Sequence, residues 1–310
     1  MFKGNSFRLT IFFFAVLLTL WRFGWQSAAN HPQTVKARVI YGEDNRLDFF
    51  QIENPAWQKL GQSTVALFDD NDLVWNEKGN LYDILSDPYG KTFTLCEDEP
   101  FYTQPSASFC SGFLISPNLV VTAGHCMRNE FNCEDVRFVF GYHYSELTSE
   151  PLKIPSQQIF LCEEILHTES ANMGPDFALI QLDRPVVEFP PLQVRRDGMV
   201  DDEDRFTVIG YPRGLPGKLA HDGHLRNNDP ETYFVTNLDA FGGNSGSAVF
   251  NSDTGLVEGI LARGEKDFTY DTSKGCRRSF TCDDLECRGE DVVRISEILK
   301  HLNEGLVSQN

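Results

Sequence analysis

Three short stretches of the chain carry residue types that together could transfer an acyl group. A serine lies in Gly242-Gly243-Asn244-Ser245-Gly246-Ser247, a histidine in Thr122-Ala123-Gly124-His125-Cys126, and an aspartate in Gly174-Pro175-Asp176-Phe177-Ala178-Leu179. A serine hydroxyl is a poor nucleophile at neutral pH. It needs an imidazole to accept its proton and a buried carboxylate to hold that imidazole in the right tautomer, and His125 and Asp176 supply one of each. The glycines around Ser245 let the backbone turn sharply and aim N–H groups at an oxygen that becomes negative during acyl transfer. The amides of Gly243 and Ser245 are the natural donors. A serine between glycines is usually only a turn, so the weight lies in the combination of order, spacing and local context.

That order, with the Gly-Asn-Ser-Gly-Ser form of the serine motif, resembles the trypsin/chymotrypsin-fold serine peptidases, and the motif is similar to their bacterial glutamyl-endopeptidase-like branch. Cys110-Ser111-Gly112-Phe113-Leu114-Ile115 followed by Leu119-Val120-Val121-Thr122-Ala123-Gly124-His125-Cys126 is similar to the family's paired strands, and the resemblance runs from about residue 39 to the C-terminus. It implies that His125 is the general base, Asp176 its orienting partner, Ser245 the nucleophile, and the Gly243 and Ser245 amides the oxyanion hole. It also implies a Cys110–Cys126 disulfide bracketing the histidine.

For specificity, the resemblance puts Asp239, six residues before the nucleophile, at the base of the P1 pocket, where a carboxylate favours Lys or Arg. The segment Gly259-Ile260-Leu261-Ala262-Arg263-Gly264 matches the strand forming the pocket wall, with Arg263 placed either to neutralise Asp239 or to face solvent. Glutamate-selective relatives carry a histidine where Leu261 stands and a threonine where Ala240 stands, so glutamate preference is not expected. A second departure is Asn244. In trypsin-like zymogens a new N-terminal amine pairs with an acidic residue just before the nucleophile, and a neutral amide cannot form that ion pair.

The elements that must carry these residues read as short apolar strands between turns: 64–68, 109–115, 119–123, 136–140, 159–165, 177–182, 206–211, 233–236, 246–250 and 256–262. This is an all-β pattern compatible with two antiparallel barrels, and the resemblance makes them six-stranded and chymotrypsin-like. Val292, Val293, Ile295, Ile298, Leu299 and Leu302 fall at helical spacing and predict a terminal helix on the second barrel. The expected division is residues 64–190 for a first barrel with His125 and Asp176, and 191–310 for a second with Ser245 and the helix. Residues 69–102 read as a polar, turn-rich insertion, and 217–227, with His221-Asp222-Gly223-His224, as a polar loop.

Residues 1–29 have the form of a secretory signal: Lys3 and Arg8, an apolar run from Leu9 to Trp21, then Ser27-Ala28-Ala29. The run is short of the roughly 20 residues that span a bilayer, so export with cleavage is expected, to a secreted or periplasmic location. An uncleaved N-terminal anchor is the alternative. Residues 30–63 then hold a short pro-segment, since Arg38-Val39-Ile40-Tyr41-Gly42 resembles a mature start after a basic residue, or simply a first strand. Without 1–29 the formal charge moves from −18 to near −21. With no basic run anywhere, nucleic acid and anionic membranes are not expected partners.

Eight cysteines in an exported chain favour disulfides. Beyond the pair above, Cys133–Cys162 is the next expectation, and Cys96, Cys276, Cys282 and Cys287 leave three pairings open. No metal or cofactor is expected: the acidic run 69–72 lacks calcium-loop spacing, the late cysteines lack a Cys-x-x-Cys pair, and His-Glu-x-x-His is absent. The expected function is a secreted, monomeric serine endopeptidase acting on protein or peptide through an acyl-enzyme, with basic P1 preference. A catalytically silent binding protein on the same scaffold is the alternative.

Overall fold

The computed structural model describes residues 40–127, 133–146, 148, 152–283 and 286–307, with side chains to 302 in the last helix. The signal and most of the pro-segment reading therefore lie outside the described residues. Two closed, antiparallel, six-stranded barrels dominate. The first comprises β1 (Thr64–Asp69), β2 (Cys110–Ser116), β3 (Leu119–Thr122), β4 (Val136–Val139), β5 (Ile159–Ser170) and β6 (Asp176–Leu182). The second comprises β7 (Arg205–Gly210), β8 (Lys218–Asn227), β9 (Tyr233–Thr236), β10 (Ala248–Asn251), β11 (Val257–Arg263) and β12 (Glu290–Arg294). Around the first barrel the order is β1-β2-β3-β6-β5-β4, and around the second β7-β8-β9-β12-β11-β10, so the same topology occurs twice. This is the chymotrypsin-like fold.

Near-continuous apolar runs arise because alternate residues of a strand point to opposite faces and here both faces are buried. Val120, Ala178, Ile180 and Leu182 fill the first barrel, and Val208, Val249, Leu261 and Val292 fill the second. Their chain neighbours Val121, Phe177, Leu179, Ile209, Ala248, Phe250, Ile260 and Val293 form the seam between the barrels. His125 and Ser245 lie in loops next to strands that line this seam, and Asp176 is the first residue of one such strand.

Two expectations are corrected. Lys218–Asn227 is a strand, not a loop: a bulge at Asp222, with φ of 61°, breaks its alternation and hides the period. The terminal helix, Ile295–Val307, begins only at Ile295, because Val292 and Val293 belong to β12 and happen to continue the helical spacing. Ile295 and Ile298 still pack into the seam, with Leu299 and Leu302 beside them. The polar insertion also carries structure, since Leu81–Ile84 pairs on one side with Leu73–Asn76 and on the other with Lys153–Pro155.

All eight cysteines are paired: Cys110–Cys126 and Cys133–Cys162 as expected, with Cys96–Cys276 and Cys282–Cys287 resolving the remainder. Among the described residues no helix is long and apolar enough to cross a membrane.

Candidate active site

His125 sits in a short 3-10 turn, Gly124–Met127, directly after β3, and Asp176 opens β6, which pairs with β3. Antiparallel pairing thus brings the two together. Asp176 is 4% exposed and turns both oxygens to one residue: Oδ1 accepts the His125 backbone N–H at 2.9 Å, and Oδ2 lies 2.8 Å from His125 Nδ1. Burial alone would raise this carboxyl, but the bonds and charge from His125, helped by the Ser170 hydroxyl, hold it below the ordinary range. Nδ1 is then the protonated nitrogen, which leaves Nε2 with its lone pair. Ser170, which the motif did not reveal, stands opposite Asp176 on β5.

Ser245 lies in the loop between β9 and β10, anchored against the first barrel. Its carbonyl accepts from Ser111 N–H at 2.9 Å and lies 3.8 Å from the disulfide sulfur of Cys126, the neighbour of His125. Gly246, at φ +88°, packs so closely that a Cβ there would stand 2.1 Å from the Ser111 carbonyl. Gly243, at φ +89°, would place one 2.7 Å from Arg213 N. Side chains are therefore excluded at both positions. Among the described residues the Ser245 hydroxyl makes no hydrogen bond, to His125 or elsewhere, and neither the Gly243 nor the Ser245 N–H donates one. Those two amides are unclaimed donors in the loop that carries the hydroxyl.

The loop is held from several sides. Gly242 C=O accepts from Arg213 N–H at 2.5 Å, which turns the N–H of the same trans peptide, that of Gly243, the other way. The Ser111 hydroxyl donates to Gly243 C=O at 2.7 Å and accepts from Tyr211 N–H at 2.9 Å. Asp267, 3% exposed, pairs with the Arg213 guanidinium and accepts the Gly242 N–H at 3.1 Å. Asn244 is buried, its Oδ1 accepting from the Ser247 hydroxyl at 3.3 Å.

The residues expected to set specificity fall differently. Asp239 is 2% exposed and committed to the N-terminal segment: Oδ1 accepts Tyr41 N–H at 2.7 Å and Oδ2 accepts Asn45 N–H at 3.2 Å. Arg263 meets neither Asp239 nor bare solvent. It pairs with Asp291 at 2.9 Å and donates to the carbonyls of Ala171 and Gly174, tying β11 to the turn before Asp176. Ala240, Leu261 and Ala262 are buried. Gly264 abuts a carboxyl that the sequence reading missed: a Cβ on it would stand 1.7 Å from Glu290 Oε2. Glu290 is 2% exposed and receives only long contacts, from Tyr41 Oη and Glu265 N, both 3.4 Å. Burial holds it well above the ordinary carboxyl range.

Burial also pushes Asp239 up to about 7, the Tyr41 and Asn45 amides offsetting this only in part. A folded-state value above the unfolded one means the folded chain binds this proton more tightly. Its contribution to stability is full below about pH 4 and is lost as pH rises through 7. The stability difference between the wild type and Asp239→Ala, followed by urea unfolding, is expected to shrink from pH 4 to 7.5. A difference independent of pH would mean that Asp239 does not titrate in this range.

Residues 110–260, which include His125, Asp176 and Ser245, match the family model described as a trypsin-like peptidase domain. Among solved structures, the chain is similar to the inactive form of a serine-to-alanine mutant of Rv3671c from M. tuberculosis H37Rv, at 14% identity and TM-score 0.44, covering 84% of this chain and 94% of that one. It is also similar to the serine endoprotease from Yersinia pestis, at 13% identity and TM-score 0.48, covering 81% of this chain and 65% of that one. The domain match supports a serine-type peptidase.

Proposed function

We propose that the protein is a serine endopeptidase. The observation that carries the reading is the Asp176 carboxylate, which spends both oxygens on His125 and so leaves Nε2 free to accept a proton. As Ser245 Oγ attacks a peptide carbonyl, His125 Nε2 takes its proton, and the unclaimed Gly243 and Ser245 amides donate to the oxygen that becomes negative. The imidazolium then protonates the leaving amine. Water repeats the cycle on the acyl-enzyme, losing its proton to His125 and releasing the acid. The open Ser245–His125 contact suits a resting site, because such bonds often tighten only when substrate is bound.

The basic P1 preference is retained but assigned to Glu290 rather than Asp239. Both Asp239 oxygens are occupied by backbone amides, whereas the Glu290 carboxyl borders Gly264 at the end of the pocket-wall strand and, among the described residues, forms no close ion pair, Arg288 acting on it only through space. A Lys or Arg side chain of the substrate would supply the close pair. The four disulfides fit export to an oxidising compartment by residues 1–29. With Asn244 neutral, the segment from Ile40 to Asn45 is fixed through Asp239, so amine–carboxylate pairing beside the nucleophile is not part of activation.

The test is a cleavage-site profile of purified protein and Ser245→Ala on a mixed peptide library, read by mass spectrometry. Cuts after Lys and Arg that vanish in Ser245→Ala, and whose basic bias is lost in Glu290→Gln, are the expected result. Identical, uncut libraries in wild type and Ser245→Ala, also after trial processing near Arg38, would move the silent-scaffold reading to the front.

A further inference from the structure

We propose that His167, Glu169 and His301 form a binding site for a borderline transition metal such as Zn²⁺, clamping the terminal helix to the strand that faces Asp176. One ligand atom from each of the three lies within 4.8 Å of the others. His167 and Glu169 are two residues apart beyond the last bulge of β5 and so share a face, opposite Leu179 and Phe177 of β6. His301 comes from the helix that follows the second barrel. Chain segments far apart in sequence thus bring two imidazoles and a carboxylate to one half-buried spot.

The local packing gathers the donors but does not yet aim them, because stacked rings hold their in-plane lone pairs nearly parallel. The two imidazole rings stack with centroids 3.8 Å apart and planes 25° from parallel, and both lie on Phe177, at 5.2 Å and 5.6 Å. Glu169 Oε2 stands 3.9 Å from His167 Nε2. Ligands of one tetrahedral zinc at 2.0–2.2 Å lie about 3.5 Å apart, so the set must tighten by roughly an ångström and one imidazole must tilt out of the stack to point its lone pair at the ion. The Glu169 side chain, 44% exposed, is free to swing inward. Two nitrogens and one carboxylate oxygen suit Zn²⁺, Ni²⁺ or Cu²⁺ and not Ca²⁺ or Mg²⁺, which take oxygen sets. Water completes the coordination on the open side.

The site is separate from His125 and Asp176 but adjoins them along the chain: Ser170, next after Glu169, pairs with Asp176 across the hairpin. A metal held by β5 and the helix would restrain that hairpin and stabilise the folded state by mass action.

The metal-stripped full chain in the Ser245→Ala background, which prevents self-cleavage, is titrated with ZnCl₂ by calorimetry and with Co²⁺ by visible absorption. The expected result is one ion per chain with Kd on the order of 1 μM, tetrahedral Co²⁺ bands, and a rise in Tm with metal. His301→Ala and Glu169→Gln should each weaken binding by at least about 10-fold to 100-fold, while His125→Ala leaves it unchanged. The Co²⁺ spectrum of Glu169→Gln keeps the test open if His301→Ala fails to fold. Absence of binding at millimolar metal, equal binding by both site variants, or loss in His125→Ala would overturn the assignment.

Discussion

Asp176→Asn is expected to fold normally and to lose about 10⁴-fold in kcat, the size of effect known for an amide in this role. An asparagine has one acceptor where Asp176 uses two. Its oxygen can keep the bond from the His125 backbone N–H, which preserves the turn. Its NH₂ then faces His125 Nδ1, where a bond now spans 2.8 Å. An NH₂ cannot accept, so the ring must present a lone pair at Nδ1 and carry its proton on Nε2, the nitrogen that should take the proton from Ser245. The defect is one of tautomer, not of shape. Because the wild-type carboxyl lies below the ordinary range, it is ionised throughout neutral pH, and the wild type should lose no rate to its protonation between pH 6 and 9. The measurement is kcat and KM on the best peptide from the cleavage profile, beside urea unfolding of both proteins. A loss below 10-fold in a fully folded variant would remove Asp176 from the mechanism.

What was legible in the sequence follows from the range of the interactions involved. Strands buried on both faces, such as Asp176–Leu182 and Val257–Arg263, announce themselves as apolar runs. The reactive motifs are local too, since glycine is needed wherever the loop adopts positive φ or passes close to another backbone, as at Gly243 and Gly246. Lys218–Asn227 was lost because a bulge shifts the side-chain period midway, and β12 because its valines extend the helical spacing of the segment that follows. The partners of Asp239 and Glu290 were beyond reach for a different reason. Tyr41 contacts them across 198 and 249 residues, and no local pattern in the chain encodes which buried carboxyl an N-terminal segment will find. Arg263 is similar: its placement depends on the turn 171–174 of the other barrel, so a side chain read as a pocket residue links the barrels instead.

Asp267→Ala is the second large effect expected, this time from a residue that touches no substrate. Asp267 accepts the Gly242 N–H and pairs with the Arg213 guanidinium, while Arg213 holds the Gly242 carbonyl through its own backbone N–H. Arg213 itself sits at φ 52°, a left-handed conformation that a non-glycine residue keeps only where its surroundings fix it. Removing the carboxylate leaves one amide without its acceptor and a guanidinium without its counter-charge, and frees the peptide that orients the Gly243 N–H. Breaking a buried pair costs about 3–5 kcal/mol; with Arg213 35% exposed, solvent screening brings the expectation to about 2 kcal/mol. The rate should fall by about 10²–10³, comparable to losing one oxyanion donor, with KM little changed because that donor acts chiefly in the transition state. Asp267→Asn, which keeps an acceptor for Gly242 but not the charge, should fall between. If kcat of Asp267→Ala stays within threefold of wild type, the Ser111 and Arg213 backbone contacts suffice to hold the loop, and the buried pair serves stability alone.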